Sequence, residues 1–88
     1  MTKIPHKFLQ QYSHLEHCVQ EVYINVNNIM VFTVNKQVYN DKLQYSVQII
    51  MNNNYTVPLK YDMDEKLFQE FILWANKELA FANIVERG

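Results

Sequence analysis

Leu43-Gln44-Tyr45-Ser46-Val47-Gln48-Ile49-Ile50-Met51 alternates apolar and polar residues along almost its whole length. Successive side chains of a strand point to opposite faces, so Leu43, Tyr45, Val47, Ile49 and Met51 share one face and Gln44, Ser46 and Gln48 the other. Only Ile50 departs from the pattern. The segments on either side keep the phase of this strand, and that agreement decides the fold class.

Upstream, Asn40-Asp41 reads as a tight turn, because both residue types tolerate positive φ. A two-residue loop there sets Val38 opposite Leu43 and Lys36 opposite Tyr45. Met30, Phe32, Val34 and Val38 then join the apolar face, and Thr33, Asn35 and Gln37 lie beside the glutamines. A slip of one residue would turn Tyr45 and Val47 into water, so the pattern fixes the register. Downstream, Asn52-Asn53-Asn54 reads as a three-residue loop. It sets Met51 opposite Tyr55, Ile49 opposite Val57 and Val47 opposite Leu59. Pro58 has no N–H to give to a ladder, which makes 55–61 an edge strand. Phe32, Tyr45, Tyr55 and Tyr61 are thereby expected on the core face.

Further upstream the period of two returns at Val22, Ile24 and Val26, with Tyr23 and Asn25 on the other side. Asn27-Asn28 interrupts as a turn or a bulge. A strand that runs through it aligns Val22, Ile24 and Val26 with Met30, Phe32 and Val34. One long bent strand, or two segments, is therefore favoured over a hairpin at 26–29.

Both ends of the chain read as helical. Phe8, Tyr12, Leu15, Val19 and Val22 are spaced 4-3-4-3, with Leu9 and Cys18 flanking the stripe. Pro5 suits a first helical turn, so a helix is expected over 5–19. At the other end, Asp62-Met63-Asp64-Glu65 matches a capping box. Phe68, Phe71, Ile72, Ala75, Leu79 and Ala82 follow at helical spacing, predicting a helix over 63–83 that ends near Asn83. The expected class is α+β: an N-terminal helix, an antiparallel meander of three or four strands, and a C-terminal helix. Both helices are placed on one face of the sheet.

With 88 residues the chain reads as a single domain, 1–88. A chain of this size hides only about 60–65% of its unfolded surface. Charged residues make up 19% of it, below the usual ~25%, which points to surface covered by another protein or a second copy. The net charge of −1 offers no basic stripe for tracking phosphates, so a nucleic-acid-associated regulator is a lesser alternative. A single cysteine, Cys18, excludes an internal disulfide. The N-terminal residues lack the order of a signal peptide, and the longest apolar run, Phe71 to Ala75, is far too short to span a bilayer. A cytoplasmic location is the expectation. The abundance of Asn, Lys, Ile, Tyr and Phe, all with AT-rich codons, fits a phage or mobile-element gene.

No residue set carries recognisable chemistry. His14 and Cys18 are four apart and share a helix face, with His6 and His17 nearby, but no further ligands complete a zinc site. Cys18 lacks an oxyanion donor and sits near the end of its expected helix, where a thiol is not activated. The sole glycine is Gly88, which rules out phosphate loops and dinucleotide fingerprints. No catalytic residue, cofactor or metal is assigned, and an enzyme is not expected.

What remains is surplus apolar surface. Leu67, Trp74 and Phe81 recur every seven residues on one shoulder of the second helix, with Val85 beyond and Leu73 amid Lys66, Gln69 and Lys77. On the sheet, Ile29, Val31 and Ile50 are apolar on an otherwise polar face. The first helix packing on the shoulder would account for the first set, and scattered surface apolars are ordinary. A protein interface accounts for both, since Trp and Phe are favoured in one. The expected function is a small non-enzymatic protein-binding module that inhibits or regulates a host protein. A homo-oligomeric structural or assembly protein, a homodimer in its simplest form, is the other reading.

Overall fold

The computed structural model describes residues 1–10 and 20–79. In chain order they form β1 (Thr2–Lys3), a 3-10 turn at His6–Phe8, β2 (Tyr23–Ile24) and a 3-10 turn at Val26–Asn28. Then come β3 (Ile29–Tyr39), β4 (Lys42–Met51) and α1 (Glu65–Glu78).

The hairpin of β3 and β4 is the largest element, and its register is the one the sequence predicts. Val38 pairs with Leu43, Lys36 with Tyr45 and Val34 with Val47. Asn40 and Asp41 both have positive φ, 52° and 62°, as a type I′ turn requires. That turn twists in the sense of the strands it joins, so it closes the hairpin without splaying it.

Near its start β3 departs from the expected phase. The pairing shifts between Ile29 and Val31, and Met30 is left without a partner in the register. Met30, expected on the core face, is exposed, while Ile29 packs against the core. One inserted residue inverts the parity of everything upstream of it. The 3-10 turn at Val26–Asn28 precedes this shift, and the Asn25 side chain caps it by accepting from Asn27 N–H at 3.0 Å. The long strand through 22–34 is thus broken at the asparagines. Val22 and Ile24 stay buried and Tyr23 exposed, the alternation of a short strand.

The three- or four-stranded meander is not formed among the described residues. Two two-stranded sheets stand in its place, β1 with β2 and β3 with β4. After the loop at 52–54 the chain starts along β4 as the phase requires. Met51 N–H donates to the Tyr55 carbonyl and Val57 N–H to the Ile49 carbonyl, each within 3.0 Å. It then leaves. Gln10 N–H donates to the Pro58 carbonyl at 2.8 Å, and Lys60 N–H to the Phe8 carbonyl at 2.9 Å. The chain returns to β4 at Met63, which exchanges both backbone hydrogen bonds with Tyr45. The pairing of Val47 with Leu59 gives way to a bridge between Leu59 and Leu9. Leu59 N–H donates to the Val57 carbonyl at 2.8 Å across Pro58, a three-residue turn that takes both groups out of the β4 ladder, and the Pro58 carbonyl on the other side accepts from the N-terminal segment.

The same contacts overturn the N-terminal helix. Residues 5–10 hold one 3-10 turn and then extended chain, and Pro5 is extended, with φ −56° and ψ 138°. Ile4 N–H donates to the Val22 carbonyl, and Ile4, Phe8 and Leu9 are all buried. Tertiary pairing with 57–60 outweighs a helical propensity that is marginal in any short segment. Residues 11–19 lie outside the described residues, as do 80–88.

Among the described residues one helix covers the hairpin, not two. Its N-cap is Asp64, whose Oδ1 accepts from Leu67 N–H at 2.8 Å. The predicted capping box placed Asp62 in this role; Asp62 is exposed and Met63 is buried in the β4 bridge, which delays the start of the helix. α1 buries Phe71 and Ala75, with Phe68 and Ile72 half-buried beside them, and Leu79 closes the same face at the C-cap. The core thus lies between α1, the apolar face of β4 and the N-terminal segment. Among the described residues it contains no buried polar residue.

Candidate functional site

The sequence directs attention to the α1 shoulder and to three apolar residues on the sheet. The structure treats these separately. Trp74 is half-buried and packs on the N-terminal segment, its ring 5.7 Å from Phe8 and 5.9 Å from Phe71. Phe8 and Phe71 themselves meet edge to face at 5.2 Å. Leu67 also packs against the core. Leu73 does not: it is 71% exposed. Phe81 and Val85 lie outside the described residues. On the sheet, Val31 stands directly opposite Ile50, so these two are brought together on the open face. Ile29 is turned to the core by the shift before Val31. Next to the pair, Thr33 Oγ1 donates to Gln48 Oε1 at 3.2 Å.

The larger exposed apolar surface lies elsewhere, on the outer half of the β3–β4 hairpin. Tyr45 is the buried β4 residue nearest the turn, with Met63 on its edge and Phe68 on its face. Leu43 lies two residues further out, about 7 Å along the strand. Val38 is 71% exposed, Tyr39 64% and Leu43 42%. Val38 and Leu43 are cross-strand partners, both expected in the core, and both are exposed outside it. The reason is length. The hairpin strands run to eleven and ten residues, whereas the covering segment meets β4 no closer to the turn than Tyr45. The alternating pattern, which continues unbroken to the turn, gives no sign that its outer end is uncovered.

Beyond the other end of the hairpin is a cleft of about 450 Å³, lined by Tyr23, Tyr55, Met51 and the asparagines at 25, 28, 52 and 53, among others. Tyr55 is exposed here, and Tyr61 is exposed too, contrary to the core-face expectation. The asparagines already serve the backbone: Asn25 caps a 3-10 turn, and Asn53 Oδ1 accepts from Tyr55 N–H at 3.1 Å. They shape turns first and line the cleft as a consequence.

Electrostatics is local and modest. Lys7 Nζ lies 2.8 Å from Glu70 Oε1 and 5.3 Å from the Phe8 ring centre, linking the N-terminal segment to α1. The Lys7 ammonium holds the Glu70 carboxyl below the usual glutamate range, by its hydrogen bond first and its charge second. Lys3 and Glu21 pair at 3.2 Å beside β1 and β2. Among the described residues no group of three His, Cys, Asp or Glu is placed to hold a metal ion. His14, His17 and Cys18 lie outside them. No described helix is long and apolar enough to cross a membrane. No family model, curated protein or solved structure matches the chain.

Proposed function

We propose that the chain is a small non-enzymatic protein-binding module whose contact element is the outer half of the β3–β4 hairpin. The observation that carries this is the cross-strand pair Val38 and Leu43, held outside the core, with Tyr39 exposed on the opposite face. Two paired strands closed by a tight turn hold Val38 and Leu43 side by side, and taking such apolar side chains out of water is the dominant favourable term in most protein–protein association. Leu73 on α1 is a second, isolated contact point. Regulation or inhibition of a host protein, in keeping with the AT-rich codon bias, is the activity such a module would serve.

The test compares the natural chain with a Val38→Thr/Leu43→Thr variant, which puts a β-branched, strand-favouring residue at both positions. Exposed substitutions of this kind change stability by about 0.5 kcal/mol or less each, so melting should stay within a few degrees. Proteins captured by the natural chain from its host lysate should be lost by the variant. Equal capture by both would remove the arm as the contact element. A second reading, association with nucleic acid, draws on the exposed Tyr23 and Tyr55 rings beside one cleft. The charge balance weighs against it, and the absence of any salt-dependent binding to single-stranded DNA or RNA would exclude it.

A further inference from the structure

We propose that the outer edge of β3 pairs antiparallel with the same edge of a second copy of this chain, about a two-fold axis at Asn35, making one four-stranded sheet from two hairpins. This deepens the protein-binding reading and rests on it, by naming a second copy as the partner of the hairpin.

Which backbone groups face outward follows from the hydrogen bonds already described. Tyr45 gives both its N–H and its carbonyl to Met63, away from β3. Its β3 partner Lys36 is therefore in a non-hydrogen-bonded pair, and the Lys36 N–H and carbonyl point away from β4. The alternation of an antiparallel ladder turns the same groups of Val34 and Val38 outward. No described segment bonds to Val34, Lys36 or Val38 on that side.

Edges of this kind are normally blunted by proline, by several charges or by being short. β3 has eleven residues, no proline, no glycine and a single charged residue, Lys36. Its outer half also lacks support. A two-stranded ribbon is marginal by itself in water, and three or more strands with an apolar face are needed for independent stability. Residues 37–44 form such a ribbon beyond buried Tyr45, and two more strands would meet that requirement.

The sequence of the edge selects a second copy and one register. Around Asn35 the chain reads Phe32-Thr33-Val34-Asn35-Lys36-Gln37-Val38, which mirrors apolar Phe32 in Val38 and polar Thr33 in Gln37, and sets Lys36 in the mirror place of Val34. Pairing about Asn35 sets Val34 against Lys36 of the other copy twice, with outward groups meeting outward groups. It sets Thr33 against Gln37 on the open face and lays exposed Val38 beside Phe32 on the apolar face. Centring on Lys36 instead would oppose two ammonium groups, which is unfavourable in a cross-strand pair. Centring on Val34 would run Val38 onto Met30, where the β3 register is broken.

The experiment is sedimentation equilibrium of the intact chain over a range of concentrations, together with disulfide trapping in a Cys18→Ser background. Asn35→Cys puts the new thiols opposite each other in a non-hydrogen-bonded pair, about 4.5 Å between Cα atoms, within disulfide reach. Thr33→Cys and Gln37→Cys each sit about 13 Å from their own copies along the strands. A concentration-dependent dimer is expected, with Asn35→Cys cross-linking at least ~10-fold faster than either control, as the distances require. Mixed Thr33→Cys and Gln37→Cys chains should cross-link to each other. A natural chain that stays monomeric throughout overturns the proposal, as does a dimer in which position 35 cross-links no faster than 33 or 37. A monomer that still captures a host protein through Val38 and Leu43 overturns the self-pairing and leaves the protein-binding reading standing.

Discussion

Tyr45 and Phe68 stack face to face, with ring centres 4.1 Å apart and planes 5° apart. This contact ties α1 to the hairpin at the point where cover on β4 ends. Tyr45 is buried and Phe68 half-buried, so the stack adds a specific term to area burial. Aromatic pairs contribute about 0.5–1.5 kcal/mol beyond their area. Tyr45→Leu, Phe68→Leu and the double variant, measured by urea unfolding, should show a coupling of that size. A coupling near zero would reduce the stack to ordinary packing.

The start of α1 rests on Asp64. Asp64→Ala leaves Leu67 N–H without its side-chain acceptor and should cost about 1 kcal/mol, in the usual 0.5–2 range for an N-cap. Asp62→Ala is expected to change stability by less than ~0.5 kcal/mol, because Asp62 is exposed and outside the helix. Thermal unfolding of the two variants separates the roles; equal losses would return Asp62 to the cap.

Adjacent residues on α1 should behave oppositely. Trp74 packs on Phe8 and Phe71, so Trp74→Ala is expected to cost folding about 3 kcal/mol, toward the values for large core residues. Leu73→Ala should fall within about 0.5 kcal/mol, since the side chain is mostly in water. Denaturant midpoints decide it. A stable Trp74→Ala would put the indole back among the contact residues.

The hairpin and α1 were legible because each is specified locally. Alternation and the Asn40-Asp41 turn agree on one register, and Phe68, Phe71, Ile72 and Ala75 repeat at helical spacing. What misled was a local signal overruled by distant pairing. Phe8 and Leu9 fit a helical stripe, yet their segment is held by hydrogen bonds to Pro58 and Lys60, some fifty residues away. No window of a single strand or helix contains that pairing. The turn lengths did give the first bonds after Met51, and the strand was lost at Pro58, where Leu59 N–H turns back to the Val57 carbonyl and leaves the ladder. The uncovered Val38 and Leu43 escaped for a similar reason: alternation says which face a residue shares, and not how far the covering layer extends.

The Lys7–Glu70 pair predicts a pH and salt effect on how the N-terminal segment is held. Glu70 has its folded-state pKa depressed by Lys7. Its contribution is therefore present above the ordinary glutamate pKa and lost as pH falls through the depressed value. Lys7→Met should return the Glu70 titration, read by NMR, to the ordinary range. High salt should shift the natural chain the same way, as both partners are solvent-accessible. A Glu70 midpoint unmoved by Lys7→Met would assign the depression to another cause.

The Asn40-Asp41 turn carries the hairpin register on two positive-φ residues, neither of them glycine. Asp, like Asn, tolerates the left-handed region better than most residues with a Cβ, while a β-branched side chain is strained there. Asp41→Val is therefore expected to lower stability by about 1–2 kcal/mol, the cost of that conformation. Asp41→Gly should be neutral or favourable by up to ~0.5 kcal/mol, relief of strain being offset by a freer unfolded chain. The order Gly, Asp, Val in denaturant midpoint is the expected result. If valine is tolerated as well as glycine, the register is held by the cross-strand pairs and not by the turn, and the outer half of the hairpin could slip. The β3 edge would then lose the fixed phase on which self-pairing about Asn35 depends, and position 35 would cease to be the preferred site of cross-linking.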